Sequence, residues 1–478
     1  MSFSLPRCLP FGLPLSLPFG LSFSLSLSLC QRRCKVNKFK LSWVDDFIGR
    51  IKPYVYMRLS DNVLIRMPNE AFKLNTTAAR VIDHILKGGS VQDFIRARSD
   101  SPDTEQQLEQ FFTDFSRMWN NEVCEHYNTP AIHKTEFTLG YIKLPILSEI
   151  ALTNTCNIKC RFCYGSCTPV KNEDQLDTAG FKKILDIIRY EAEVPSVSFT
   201  GGEPTTYKDL AELVRYASAN NKMRVNLITN GTLITPEKAK ELSDAGLSSA
   251  QVSIESSLAN EHEAITGVPG SHEASVNGLK ALKDVGITVH PHLTVCAMNR
   301  DNLVKYPAFC KSLGLERFSF NLVIPAGRGI DDGLTVEYSE IGEIIEKVKS
   351  AAKEAGVQFM WYSPTPICLF NPMTAGFGNR GCSACEGLLS VDPKGNLLPC
   401  SSWSEPVGNL IAEGFQAVWF NKRAEWIRGK QEAPEPCKGC RHFAACQGAC
   451  PLYFKAHGCD ELNCAWKTMG LIKERSII

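Results

Sequence analysis

Between residues 145 and 325 the chain alternates short β-branched runs with amphipathic helical stretches, and this alternation constrains the fold more than any other feature. The strand candidates are residues 148–153, 196–200, 224–229, 250–255, 288–295 and 317–323, separated by helical stretches such as 178–190 and 271–285. A strand, a crossover helix and a second strand running the same way build a parallel sheet. Six such units make an α/β fold, a partial (β/α)6 barrel of the TIM type. Chemistry in such barrels sits at the C-terminal ends of the strands, so the residues that follow each strand are the ones to read.

The first strand runs into Thr155-Cys156-Asn157-Ile158-Lys159-Cys160-Arg161-Phe162-Cys163-Tyr164, a Cys-x3-Cys-x-aromatic-Cys loop. Three thiolates on one short loop can hold three irons of a 4Fe–4S cluster and leave the fourth iron for a small molecule. A structural zinc loop is the rival, although zinc prefers four ligands in Cys-x2-Cys pairs. The second strand ends in Thr200-Gly201-Gly202-Glu203-Pro204. Its glycines admit close backbone approach to a ligand, and its carboxylate can accept hydrogen bonds from an ammonium group. Thr229-Asn230-Gly231 ends the third strand and Ser253-Ile254-Glu255-Ser256 the fourth, while the loop after the sixth carries Arg328, a cation able to meet a carboxylate. Polar residues at these places also serve simply to finish strands. His290 and His292 alternate on the fifth strand and read most simply as packed side chains.

The cysteine loop, followed one strand later by Gly-Gly-Glu-Pro, resembles the radical S-adenosylmethionine (radical SAM) superfamily. The resemblance implies that the amine and carboxylate of SAM chelate the open iron of a cluster on Cys156, Cys160 and Cys163. It places Gly201, Gly202, Glu203 and Pro204 at the amino group of SAM. Asn230, Ser253, Glu255 and Arg328 become candidate contacts to its ribose and carboxylate, and Phe162 packs beside the cluster, where its backbone can meet the adenine. It also implies reductive cleavage of SAM to methionine and a 5′-deoxyadenosyl radical, which removes a hydrogen atom from an unactivated C–H bond.

The chain holds 20 cysteines in 478 residues, clustered rather than dispersed, with a net charge of +1. Clustering in so long a chain points to metal sites in a reducing compartment, the cytoplasm, rather than to disulfides. Near-neutral charge leaves no electrostatic footprint for nucleic acid or for an anionic membrane. Cys382-x2-Cys385 precedes Gly395-x4-Cys400, and Cys437-x2-Cys440-x5-Cys446-x3-Cys450 follows, with Cys459 and Cys464 last. Residues 360–478 resemble the SPASM extension of radical SAM peptide-modifying enzymes, in which such cysteines hold two auxiliary 4Fe–4S clusters. By that resemblance Cys437, Cys440, Cys446 and Cys464 bind one cluster, and Cys382, Cys400 and Cys450 bind the other with Cys385. Cys368 competes with Cys385, and Cys459 with Cys464. Zinc remains the rival metal, since Cys-x2-Cys pairs suit it equally. Cys124, Cys167, Cys296 and Cys310 fit neither motif and read as small core residues; Cys8, Cys30 and Cys34 read as non-functional.

Residues 50–122 read as a separate unit. A hairpin turns across Ser60-Asp61-Asn62, residues 71–74 add a third strand, Thr76 or Thr77 caps a helix, Ser90 caps a second, and Leu108, Phe111, Phe112, Phe115 and Met118 stripe a third. Strands followed by three helices, with Phe72-Lys73-Leu74-Asn75-Thr76-Thr77-Ala78-Ala79 at the junction, are similar to the winged-helix PqqD-like peptide-recognition domain, in which a leader peptide adds a strand to the sheet edge. Residues 1–40, with prolines at 6, 10, 14 and 18 and alternating Leu and Ser, read as a low-complexity, disordered leader and neither a secretory signal nor a membrane span.

The sequence therefore describes a fused PqqD-like unit, a radical SAM barrel over 145–340 and a SPASM extension. The function that this implies is oxidative crosslinking of a ribosomally made peptide or protein, with electrons from a donor such as flavodoxin or ferredoxin. Modification of a haem precursor or other cofactor is the alternative within enzymes, and a non-enzymatic metal-cluster scaffold or peptide-binding adaptor the alternative outside them.

Overall fold

The computed structural model describes residues 40–68, 70–98, 104–120, 131–135, 142–170, 174–330 and 333–472. The leader expected over residues 1–40 thus lies almost wholly outside the described residues, as do Cys8, Cys30, Cys34 and Cys124.

The N-terminal unit opens with helix α1 (Val44–Ile51) and continues through strands β1 (Val55–Arg58), β2 (Val63–Arg66) and β3 (Glu70–Leu74). Helices α2 (Thr76–Leu86), α3 (Val91–Arg96) and α4 (Thr104–Trp119) follow, and then β4 (Ile132–Thr135). The four strands form one antiparallel sheet in the order β1-β2-β3-β4, so a stretch of chain beyond the helices pairs with β3. Ser90 caps α3 as expected, accepting from Asp93 N at 3.0 Å. The cap of α2 is Asn75 rather than Thr76 or Thr77: its Oδ1 accepts from Ala78 N at 2.8 Å, because β3 ends at Leu74 and the turn into the helix falls one residue earlier. Val81, Ile82, Phe112 and Phe115 fill the space between helices and sheet.

Arg58 fastens this unit to the rest of the chain. Its fully buried guanidinium meets Asp61 at 2.8 Å and donates to Pro145 O at 2.6 Å and Leu144 O at 3.1 Å. Burying a charge is tolerable only when it is paired and its protons are satisfied, and here both conditions hold.

The second sheet has ten strands. Its six expected members are β5 (Leu147–Ala151), β6 (Ser196–Thr200), β7 (Arg224–Thr229), β8 (Ser249–Ser253), β9 (Thr288–Val295) and β10 (Arg317–Leu322). Four further strands, β11 (Gln358–Trp361), β12 (Leu388–Val391), β13 (Asn396–Leu398) and β14 (Gly408–Asn409), give the order β11-β10-β9-β8-β7-β6-β5-β12-β13-β14. All pairings from β11 to β12 are parallel, and the last two pairings, β12 with β13 and β13 with β14, are antiparallel, so that β13 alone is reversed. The parallel sheet thus extends past the six units on both sides, and on one side it does so with a strand of the cysteine-rich segment. Helices α5 (Thr178–Asp186), α6 (Leu210–Arg215) and α7 (Pro236–Asp244) share one apolar core with it, to which Phe181, Ile184, Leu213 and Leu242 contribute from the helices and Val197, Phe199, Val225 and Leu227 from the strands. Among the described residues, no helix is long and apolar enough to cross a membrane.

Candidate active site

A cavity of about 360 Å3 opens at the C-terminal ends of the parallel strands. Cys156, Cys160 and Cys163 line it from the loop after β5, and Cys382, Cys400 and Cys450 line it from the cysteine-rich segment. Two groups of three expected thiols, with Cys167 beside the first, therefore share one space.

Two neighbouring loops hold the first group in shape. The loop after β6 lies against it, with Gly202 N donating to Thr153 O at 2.7 Å and Glu203 N to Thr155 O at 2.8 Å. A Cβ on Gly201 would stand 2.5 Å from Thr153 O, and one on Gly202 would stand 2.3 Å from Thr155 O. The close approach that these glycines permit is thus to the cysteine loop itself, although both also border the cavity. From the other side Arg328 donates through its amide to Cys163 O (3.0 Å), through Nε to Cys160 O (2.9 Å) and through Nη1 to Cys167 O (3.0 Å). Its Nη2 is buried without a partner at the cavity wall, a donor free for an anionic group.

The remaining expected residues divide. Phe162 packs with Ile265, Cys296 and Val323 and lines the cavity. Asn230 lines it too, its Nδ2 donating to Asn157 Oδ1 at 2.9 Å and lying 3.9 Å from Cys156 Sγ. Ser253 closes β8 on the cavity. Glu255 stands beyond the strand end, its Oε2 accepting from Thr294 N at 2.8 Å. Burial pushes its carboxyl up to about 8.

Glu203 lies just behind the cavity lining. Its carboxylate is fully buried behind the cavity wall and accepts from Thr205 N (3.1 Å), Thr205 Oγ1 (2.6 Å), Thr229 Oγ1 (2.7 Å) and Asn230 N (2.7 Å). Three of these bonds fall on Oε1 and one on Oε2, and together they brace the ends of β6 and β7. Pro204, also buried, starts the short turn Pro204–Thr206 behind it.

Several groups at the cavity did not stand out in the sequence. Cys167 is buried beside Cys163 and borders the cavity, and its thiol hydrogen-bonds Cys163 and holds that thiol below its ordinary range. Its x3 spacing from Cys163 was the available signal. Glu149 points inward from β5, with Oε1 accepting from Ser390 Oγ of β12 at 2.6 Å. His292 borders the cavity and shares a 2.8 Å hydrogen bond with Ser319 Oγ; burial lowers it to about 3, which keeps it neutral. His290 lies outside the cavity lining.

In the cysteine-rich segment, Cys437, Cys440 and Cys446 line a second, smaller cavity, and the fourth cysteine there is Cys368. Cys464 is exposed, because the helix Asn463–Thr468 buries its Trp466 side instead. Cys385 does not border the main cavity: its backbone turns through φ 52 and its side chain packs with Ala384, Trp403, Ala424 and Ile427, while Cys382 and Cys400 pack against the same cluster. Cys459 packs against the main core.

Three thiols on a loop at the mouth of a parallel sheet, with an unpartnered guanidinium donor and polar strand ends around them, suit an iron–sulfur cluster that binds a small anionic or zwitterionic ligand. That class is borne out by comparison. Residues 150–305 match the radical SAM superfamily, and residues 382–441 match the SPASM iron–sulfur cluster-binding domain. An AdoMet-dependent heme synthase of Methanosarcina barkeri is 27% identical over 66% of this chain and 93% of its own length. The mycofactocin maturase MftC of Mycolicibacterium smegmatis is 29% identical over 64% of this chain and 78% of its own. The crystal structure of Streptococcus suis SuiB bound to its precursor peptide SuiA shares the fold, with a TM-score of 0.62 and 17% identity over 84% of this chain and 95% of that one. The chain is a radical SAM enzyme with a SPASM extension, and its cofactors are iron–sulfur clusters and SAM.

Proposed function

We propose that this enzyme oxidatively crosslinks a ribosomally made peptide, which its N-terminal unit recognises in the manner of a PqqD-like domain. One observation carries the reading: the loop of Cys156, Cys160 and Cys163 and the group of Cys382, Cys400 and Cys450 border the same cavity. When bound, the cofactors supply a 5′-deoxyadenosyl radical from SAM and a nearby acceptor for one electron. A substrate held between the two thiol groups gives up a hydrogen atom on one side and, as its new bond closes, an electron and a proton on the other. The net change is loss of two hydrogens, as a carbon–carbon or thioether crosslink requires.

The chain's own residues supply position rather than acid–base catalysis. Arg328 holds the cysteine loop through three carbonyls and keeps Nη2 for the carboxylate of SAM. Gly201, Gly202, Asn230, Ser253 and Glu255 border the space for its amino group and ribose, and Phe162 contributes an apolar wall. Glu203 and Pro204 act from behind, by fixing the loops that carry those contacts.

Peptide recognition has a physical route in the first sheet, whose edges are β1 and β4 and to which an extended peptide can add a strand. The SuiB likeness covers more of this chain than the sequence relatives do, 84% against 62–67%, which is consistent with a shared N-terminal part. A low-potential donor such as flavodoxin or ferredoxin in a reducing cytoplasm completes the scheme. The test incubates full-length, reduced, cluster-loaded enzyme and SAM with short peptides encoded near its gene and, separately, with iron porphyrin precursors. A peptide lighter by two hydrogens, with release of 5′-deoxyadenosine, is the expected result. Turnover of the porphyrin alone would establish the cofactor-modifying alternative, and failure to release 5′-deoxyadenosine under any condition would favour a scaffold.

A further inference from the structure

We propose that Cys368, which lies outside the matched SPASM residues, is the fourth thiolate of the second auxiliary iron–sulfur site, with Cys437, Cys440 and Cys446, and that Cys464 is not a ligand. The inference rests on the reading of residues 360–478 as a cluster-binding extension. It moves Cys368 from candidate ligand of the first auxiliary cluster to ligand of the second.

Four observations converge on it. First, Cys368, Cys437, Cys440 and Cys446 line one small cavity of about 30 Å3 with an almost wholly apolar wall that includes Trp466 and Met469. Such a wall suits a cluster held by thiolates alone. Second, the turn that carries Cys368 is fixed. Leu369 N and Phe370 N both donate to Pro366 O at 3.0 Å, and the buried Thr365 just before it accepts from Trp361 Nε1 of β11 at 3.0 Å. Third, that turn already engages the sulfur set, since Ile367 N donates to Cys446 Sγ at 3.5 Å, as His442 N does to Cys440 Sγ at 3.4 Å. Backbone donors to sulfur are a usual accompaniment of ligated cysteines and tune the cluster potential.

Fourth, the helix Asn463–Thr468 cannot serve the cavity twice. Residues two apart on a helix are turned about 200° from one another. Trp466 faces the cavity and is 4% exposed, so Cys464 faces away and is exposed. Met469 meets the same wall as Trp466, as a residue three positions on should.

With four thiolates the second site is coordinatively closed. It can pass an electron but has no iron free for a substrate atom. The main cavity differs, because Cys382, Cys400 and Cys450 border it and Cys385 does not.

The experiment uses the full chain with Cys156, Cys160 and Cys163 all changed to Ala, so that only auxiliary clusters remain. Iron and acid-labile sulfide are counted after anaerobic reconstitution, and the reduced protein is examined by EPR. This parent should hold about eight irons per chain. In that background Cys368→Ala should lose up to about half of the iron, or yield a three-iron signal on mild oxidation. Cys368→Ser, which offers an oxygen ligand and guards against mere misfolding, should keep its iron with shifted EPR features. Cys464→Ala and Cys459→Ala should match the parent in both readouts. Iron loss in Cys464→Ala, or an unchanged count and spectrum in Cys368→Ala and Cys368→Ser, would overturn the assignment alone. A parent that binds no iron would overturn the assignment together with the reading beneath it.

Discussion

Replacing Glu203 by Gln separates two roles open to the same carboxylate. The group accepts four hydrogen bonds, of which those from Asn230 N and Thr229 Oγ1 tie the end of β7 to the end of β6. A Gln can keep one oxygen for Thr205 and Thr229, but it sets an amide NH2 against the Asn230 N–H. That leaves a buried donor unsatisfied, which costs about 1–3 kcal/mol. Ala removes the acceptor entirely and strands both buried donors, about 3–5 kcal/mol in all. For a barrel of this size the Gln change lowers the melting temperature of the apo-protein by roughly 2–10 °C. Since no oxygen of Glu203 borders the cavity, the folded and reconstituted Gln variant should bind SAM within about threefold of wild type, a difference worth no more than about 0.7 kcal/mol. Thermal unfolding and calorimetric titration with SAM read the two effects separately. Unchanged melting with tenfold or greater loss of SAM affinity would refute the bracing role and restore Glu203 as a direct ligand.

Other changes test other parts of the architecture. Gly202→Ala places a Cβ 2.3 Å from Thr155 O and must displace the cysteine loop; cluster-loaded protein should lose about four irons, with auxiliary signals intact, and full iron content would contradict this. Glu255 has a folded-state value of about 8 against an ordinary 4.5, raised by burial, so between those values the folded chain holds a proton that the unfolded chain has released. Stability of the apo-protein should therefore fall as pH rises through that window, by about 5 kcal/mol at most, and Glu255→Gln should flatten the dependence; equal slopes in both proteins would dismiss it. Arg58→Ala leaves the buried Asp61 unpaired and should cost about 3–5 kcal/mol, seen as faster amide exchange in β1, β2 and residues 142–146; unaltered exchange would show that the N-terminal unit is held elsewhere.

The six central strands were legible because each is a short β-branched run between helical patterns. β11 and β12 were not. Gln358-Phe359-Met360-Trp361 has no clean alternation, and Leu388–Val391 sits among cysteines whose spacing reads as metal chemistry rather than as a strand. For the site, motif spacing located Cys156, Cys160, Cys163, Gly201, Gly202 and Arg328, all of which border the cavity. Spacing does not report which way a side chain faces. It could not foresee that Glu203 turns inward, that Trp466 rather than Cys464 faces the thiols, or that a left-handed turn sends Cys385 into apolar packing. Glu149 went unnoticed because a lone carboxylate within a strand carries no motif.

The pairing of β12 with β5 also sets an order of events. Leu388 lies opposite Leu147, and Ser390 opposite Glu149, across 241 residues of intervening chain. Until that far segment has been synthesised, β5 has a neighbour on one side only, and the loop bearing Cys156 leads out of an unfinished sheet edge. Contacts of such long sequence separation form slowly, and unpaired edges invite misassociation. Delivery of iron to the first thiol group before residue 391 has joined the sheet would meet a loop whose floor is incomplete. Maturation of the three cysteine groups is thus coupled to completion of one fold rather than proceeding module by module.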